Sequence, residues 1–222
     1  MSAPQWAWEA ARRFWGEAGG WFRAADLGEA IDRVSSVRVD PVAGLSTRRV
    51  RDNLARLGYS TPEVGPDRAL RGCVLAEGGA GWIFVEANDP DDERRFSLAH
   101  ELAHFLRHHL AARAYSGDPG RCLRGVLRGV RSLHYLHLME RGAGFLSPEV
   151  REAEEEADWL AVELLAPEEE LSPRLRPDAG REEIAAVLCE AFGLPKSAAS
   201  AHAARLIPEV AECPLIARLK KY

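Results

Sequence analysis

The sequence predicts an α+β fold, a small and largely antiparallel sheet beside a mostly helical body, with a cleft between two of the helices. Three observations predict it. The run Phe96-Ser-Leu-Ala-His-Glu-Leu-Ala-His-Phe-Leu106 places apolar residues at helical spacing, with two histidines four apart. The segment Ser147 to Pro167 reads as a second helix: Ser147 as N-cap, Pro148 first, Glu149 favourable in the first turn and Pro167 as the stop. Val74-Leu-Ala-Glu77 and Trp82-Ile-Phe-Val-Glu86 flank Gly78-Gly-Ala-Gly81, which predicts two strands around a glycine-rich turn.

In chain order, residues 1–44 form an N-terminal helical segment. Its Trp6, Trp8, Trp15 and Trp21 are expected to pack a helix onto its own domain. Residues 45–170 carry the main domain, with an insert at 107–146. Within it, Val50, Leu54 and Leu57 make Ser46–Leu57 an amphipathic helix closed by Gly58. Asp89-Pro-Asp-Asp-Glu93 starts the histidine-bearing helix with a capping aspartate, proline in the first turn and acids near its positive end. The later helix should bury Val150, Ala153, Ala157, Leu160, Ala161 and Leu164. Residues 171–222 form a helical extension: a proline-rich connector, then Ile184–Phe192, Gly193 and Lys196–Leu206 as a helix-turn-helix-like pair. The second of these offers Lys196, His202 and Arg205 among alanines, which suits packing better than reading a DNA groove.

The chemistry lies in His100-Glu-Leu-Ala-His104. Residues four apart stand about 40° apart around an α-helix and about 6 Å apart along it. Two imidazoles at that spacing can grip one ion, and Glu101, one step round, can act as a base without being a ligand. A catalytic zinc takes three protein ligands and keeps a fourth position for water. Arg107 and Leu110 stand where a third histidine on the same run would lie. Glu154, with Asp158 four residues on, is therefore the candidate third ligand. Asp158 would accept the free N–H of a liganding histidine. Glu155 and Glu156 have no acidic residue four places beyond them. Zinc is the expected metal, with manganese or iron as alternatives for a His/His/Glu set. His108 drifts off the His100/His104 face. His134, Tyr135, His137 and Tyr115 are candidate donors to a tetrahedral oxyanion, although His134 and His137 also fit a surface pair or extra ligands.

Arg95-Phe-Ser-Leu-Ala-His-Glu-Leu-Ala-His104, Glu154-x-x-Ala157-Asp158, Leu164-Leu-Ala-Pro167 and Trp82 to Asn88 resemble the ImmA/IrrE family of bacterial metallopeptidases. The closing Phe192-Gly-Leu-Pro-Lys-Ser197 and Arg205-Leu206 extend the resemblance, which covers about residues 45–207. It departs at Ser97, where the family has threonine, at Ala103, where it has glycine, and in the length of the stretch from Arg107 to Phe145. The resemblance implies a zincin-like fold and a metallo-endopeptidase that uses Glu101 as base and His100, His104 and Glu154 as ligands. The implied substrate is a helix-turn-helix transcriptional repressor, cut to release stress-response or mobile-element genes.

Composition narrows the alternatives. The sequence has no run of some 18 apolar residues and no basic leader followed by an apolar stretch, so a cytoplasmic protein without a membrane partner is expected. Cys73, Cys122, Cys189 and Cys213 are scattered and read as reduced thiols. A net charge of −5 argues against direct nucleic-acid binding. The stretch Arg107–Arg141 nevertheless holds seven arginines, and Arg121, Arg124, Arg128 and Arg131 recur at helical spacing. That stripe lies against the acidic second helix, simply faces water, or borders the cleft and attracts an acidic partner face. Two non-enzymatic readings compete: a partner-binding regulator, of toxin–antitoxin type, with a structural metal, and a DNA-binding regulator acting through the C-terminal helix pair. Glu101 weighs against the first, because a structural site needs no base.

Overall fold

A computed structural model describes residues 3–20, 27–56, 66–77, 80–111, 135–141 and 147–207. Its elements are α1 (Gln5–Glu17), α2 (Leu27–Val34), β1 (Ser36–Val42), α3 (Thr47–Arg56), β2 (Leu70–Glu77), β3 (Ala80–Glu86) and α4 (Asp91–His104). They continue with β4 (Tyr135–Glu140), α5 (Pro148–Leu165), the short α6 (Glu168–Leu171), α7 (Arg181–Phe192) and α8 (Lys196–Leu206). The class is α+β, as expected. Trp21, Tyr115, Cys122, His134, Cys213 and the arginines at 113, 121, 124, 128 and 131 lie outside the described residues, so the basic stripe does too.

The sheet runs β1-β3-β2-β4. It is mixed: β2 pairs antiparallel with both β3 and β4, and β1 pairs parallel with β3. The parallel pair is possible because α3 and β2 lie between β1 and β3 in sequence and provide the long crossover that parallel strands need. Alternation along the strands sends side chains to two cores. Val74, Ala76, Ile83 and Val85 join the large helical core, whereas Cys73, Leu75 and Phe84 pack with Val50 and Leu54 of α3. Strand β3 is paired on both sides, so its backbone hydrogen bonds are already made and it offers no free edge to an extended peptide. β4 is an outer strand of the four.

Helices α4 and α5 lie side by side, and Ala99, Ala103, Ala157 and Ala161 are fully buried in their shared core. Small side chains let two helix axes approach closely, which brings polar groups of both helices together. Ser147 caps α5 by accepting from the Val150 N–H, and Pro148 is its first residue. Val150, expected in the apolar stripe, is exposed because the stripe becomes buried only from Ala157 onward. At α4 the expected aspartate cap is absent. Pro90 occupies that position without a side-chain cap, and the Asp89 carboxylate accepts from Arg141 instead.

The N-terminal and C-terminal helices share the same core. Phe14 and Trp15 of α1 are buried with Leu160 and Leu164 of α5. The Trp15 indole N–H donates to the Leu164 carbonyl at 3.1 Å, satisfying an orphan acceptor of the last helical turn. Between α7 and α8, Gly193 adopts φ +62°, and the Leu194 N–H reaches back to the Leu188 carbonyl. A left-handed glycine of this kind ends many helices. A Cβ here would also stand 2.8 Å from Arg95 Nη1, while Arg95 Nη2 donates to the Phe192 carbonyl at 2.7 Å. One arginine of α4 thereby fixes the end of α7. Ala199, His202 and Ala203 of α8 are buried, so this helix packs as expected. Cys73 and Cys189 are free thiols. Among the described residues, no helix is long and apolar enough to cross a membrane.

Candidate metal centre

His100 and His104 occupy the last turn-and-a-half of α4, both almost fully buried. Their Nε2 atoms stand 3.1 Å apart. Across the interface, Glu154 of α5 brings Oε2 to 3.3 Å from His100 Nε2 and Oε1 to 3.5 Å from His104 Nε2. Two ligands of one tetrahedral zinc, each at about 2.0–2.1 Å, stand about 3.3–3.5 Å apart. The three separations are close to that edge length, so the donor set fits zinc in both chemistry and spacing. Beyond His104 the helix widens into a π-helical segment, Phe105–Ala111, a form that recurs beside functional sites.

Asp158 lies where the helical register of Glu154 predicts. Its Oδ1 accepts from His100 Nδ1 at 3.0 Å, which leaves Nε2 to face the donor cluster. Its Oδ2 accepts from Arg205 of α8 at 2.6 Å, a partner that sequence reasoning did not assign. The rival glutamates point elsewhere: Glu155 is exposed, and Glu156 accepts two hydrogen bonds from the Arg107 guanidinium. His108 turns away from the cluster, with Nε2 3.3 Å from the Ala153 carbonyl.

A fourth side chain joins the group. His137 of β4 donates from Nε2 to Glu154 Oε1 at 2.7 Å and from Nδ1 to Glu101 Oε2 at 2.9 Å. Its ring stacks on His104 with centroids 3.7 Å apart. The ligand atoms of His100, His104, His137 and Glu154 all lie within 4.8 Å of one another. His137 thus bonds the carboxylate of Glu154 and also belongs to the group of side chains that could hold an ion. β4 itself escaped sequence reading, though its pattern carries the signal. Leu136 and Leu138 pack into the core with α3, while His137 and Met139 alternate to the other face.

Glu101 is fully buried, and its Oε1 has no hydrogen-bond partner. A buried carboxylate oxygen without a donor is costly unless something else fills its place, and a water or substrate N–H would do so. Room for this side chain comes from Gly72 on β2. A Cβ there would stand 2.9 Å from Glu101 Cγ and 3.0 Å from Oε1.

Charge in the cluster is divided unevenly. Burial lowers the His100 pKa, but hydrogen bonds to Asp158 and Glu154 outweigh it and raise the value to about 9. His137 is likewise opposed by burial but raised to about 10 by Glu101 and Glu154. His104 goes the other way: burial lowers its pKa to about 3, aided by the charges of His137 and His100 against the pull of Glu154. Burial disfavours the Glu154 carboxylate, yet its three histidine partners hold it well below the usual range. An anionic oxygen and unprotonated imidazole nitrogen are the forms that bind a cation.

Residues 65–121 match the IrrE N-terminal-like domain. This is a metallopeptidase family, in agreement with the ImmA/IrrE resemblance. The IrrE-like match covers about a quarter of the chain, from ahead of β2 to beyond the π-helical segment, and so includes Gly72, His100, Glu101 and His104. Glu154, Asp158 and His137 lie beyond it and rest on the geometry above. No curated protein matches the chain.

Proposed function

We propose that this protein is a zinc-dependent endopeptidase in which His100, His104 and Glu154 hold the ion and Glu101 is the general base. The observation that carries the reading is the convergence of three donors from α4 and α5 at zinc-like spacing beside a buried glutamate with an unsatisfied oxygen. When bound, zinc acts as a Lewis acid that makes water nucleophilic near neutral pH and polarises a carbonyl oxygen. Glu101 takes the proton of the attacking water and returns it to the leaving amine. Asp158, held by Arg205, fixes the ring of His100. His137 presents an N–H between Glu101 and Glu154, where it can donate to the oxygen that gains charge as the carbonyl becomes tetrahedral. The outer strand β4, which carries His137, is the sheet element suited to aligning an extended peptide.

The substrate we infer is a DNA-binding repressor of the helix-turn-helix type, cut in the cytoplasm at one site in a stress-response or mobile-element switch. The ImmA/IrrE resemblance supports that choice. Residues 45–170 would be the catalytic domain, flanked by helices that share its core. The test is a pair of variants assayed on candidate helix-turn-helix repressors drawn from the neighbouring reading frames. Glu101→Gln should retain one zinc and the fold while losing cleavage; His104→Ala should lose the zinc as well. Full activity of Glu101→Gln would end this mechanism. Casein should be cut poorly by the wild type.

A further inference from the structure

A second cavity lies away from the metal cluster. Helix α5 continues past Asp158 to Glu163, about 13 Å along the axis from Glu154. There it borders a cleft of about 470 Å³ between α6, the turn that follows it, and the α7–α8 pair. The volume is that of a small-molecule site. Leu171, Leu175, Ile184, Leu206 and Ile207 give it apolar walls.

Its polar groups are few and mostly of one kind. Glu163 is 2% exposed and accepts a long hydrogen bond, 3.4 Å, from the Glu168 backbone N–H. His202 is also 2% exposed, and its Nδ1 has no partner. Glu168 adds a second carboxylate, which accepts the Ala3 N–H. Among the described residues, the cation lining the cleft is Arg176, which is turned to Glu183, to which Nε and Nη2 both donate. Two acidic side chains and a histidine therefore line the cavity among the described residues, and the arginine that joins them is paired with Glu183. Burying such groups unpaired is unfavourable, and a ligand that donates hydrogen bonds and carries positive charge relieves the cost.

We propose that this cleft is a second binding site, taking an alkyl ammonium group whose nitrogen meets Glu163 and His202 while its chain lies along Leu175, Ile184 and Leu206. Burial raises the Glu163 pKa to about 7 and lowers that of His202 to about 4. The imidazole is thus a neutral acceptor, and the carboxyl ionises readily once an ammonium arrives. Neither the cleft nor its ligand depends on the peptidase reading.

The probe is n-hexylamine, titrated calorimetrically into the full-length, zinc-loaded protein, with hexan-1-ol as the uncharged control. Trp159, whose ring stands edge-on to His202 with centroids 4.9 Å apart, offers a fluorescence readout of the same event. Saturable binding of hexylamine, at least about tenfold tighter than the alcohol, is expected. Glu163→Gln should weaken it about tenfold or more. Leu175→Trp, at a partly exposed wall position, should block it while zinc content is unchanged, which separates the cleft from any amine bound at the metal. Nα-acetyl-lysine N-methylamide distinguishes the two sources. Binding of both compounds assigns a lysine side chain of a peptide, and binding of hexylamine alone assigns a free alkylamine. No saturable binding, equal affinity for the alcohol, or full binding by a folded Leu175→Trp variant would overturn the proposal.

Discussion

Glu163 gives a stability signature that can be read without knowing any substrate. Its carboxyl is almost completely buried in α5, and burial raises its pKa from the ordinary 4.5 to about 7. The neighbouring Glu168 and Glu169 carboxylates raise it further, against the opposing Glu168 N–H. In the unfolded chain the group titrates near its ordinary value. Below that value both states are protonated and ionisation costs the fold nothing. As pH rises from about 4.5 to about 7, the unfolded chain releases a proton that the fold retains, so this residue's contribution to stability falls, and above about 7 the loss is complete. A rise from 4.5 to about 7 corresponds to about 3 kcal/mol, an upper figure because local relaxation and water entry reduce it. Glu163→Gln removes the titration while keeping the shape. In urea unfolding of both proteins, the variant should gain about 1–3 kcal/mol relative to wild type between about pH 4.5 and about pH 8.5. Other titrating groups cancel in that difference. A difference that stays flat with pH, or one that favours wild type as pH rises, would show that the buried carboxyl is not held in its neutral form.

Three further outcomes test the metal centre and its frame. Gly72→Ala puts a methyl 2.9 Å from Glu101 Cγ, and because Glu101 is fully enclosed it must shift. Cleavage should fall about tenfold to a hundredfold at unchanged zinc content, since a displacement of about 1 Å at a reacting group has that effect; full activity would show that the base has room to spare. Asp158→Asn should weaken zinc about tenfold to a hundredfold in a chelator competition, and Arg205→Leu should add little on top of it, because both act through His100. Trp15→Phe should cost about 1–3 kcal/mol in urea unfolding by leaving the Leu164 carbonyl without its donor.

Much of this site was legible because it is written on helices. His100, His104, Glu154 and Asp158 form two pairs at a spacing of four, and that spacing fixes which side chains share a helical face whatever the rest of the fold does. The cap at Ser147 set the register of α5, which is why Glu154 and Asp158 separated cleanly from Glu155 and Glu156. Gly193 similarly marked the break between α7 and α8. The strands gave less. The glycine-rich turn revealed β2 and β3, but nothing local shows that β1 would insert parallel beside β3, and that pairing is what makes β3 an inner strand.

His137 shows where local reasoning ends. On β4 it stands opposite Val74 of β2, and directly opposed residues of paired strands share a face. Gly72, two residues before Val74, lies on that face as well, where the absent side chain admits Glu101. Glu101 of α4, the glycine of β2 and the histidine of β4 therefore meet through sheet register, across 36 residues between Glu101 and His137. A spacing of four within a helix carries its own geometry, whereas a cross-strand neighbour depends on which strands pair. The same holds for Arg205, which reaches Asp158 from 47 residues away because α8 packs into the core beside α5. The half of the site that could bind an ion is thus a property of two short segments, and the half that would handle protons and hold the ligands in place is a property of the assembled fold. Substitutions at Gly72 and Arg205 consequently separate the two halves, the first acting on the base and the second on the support of His100.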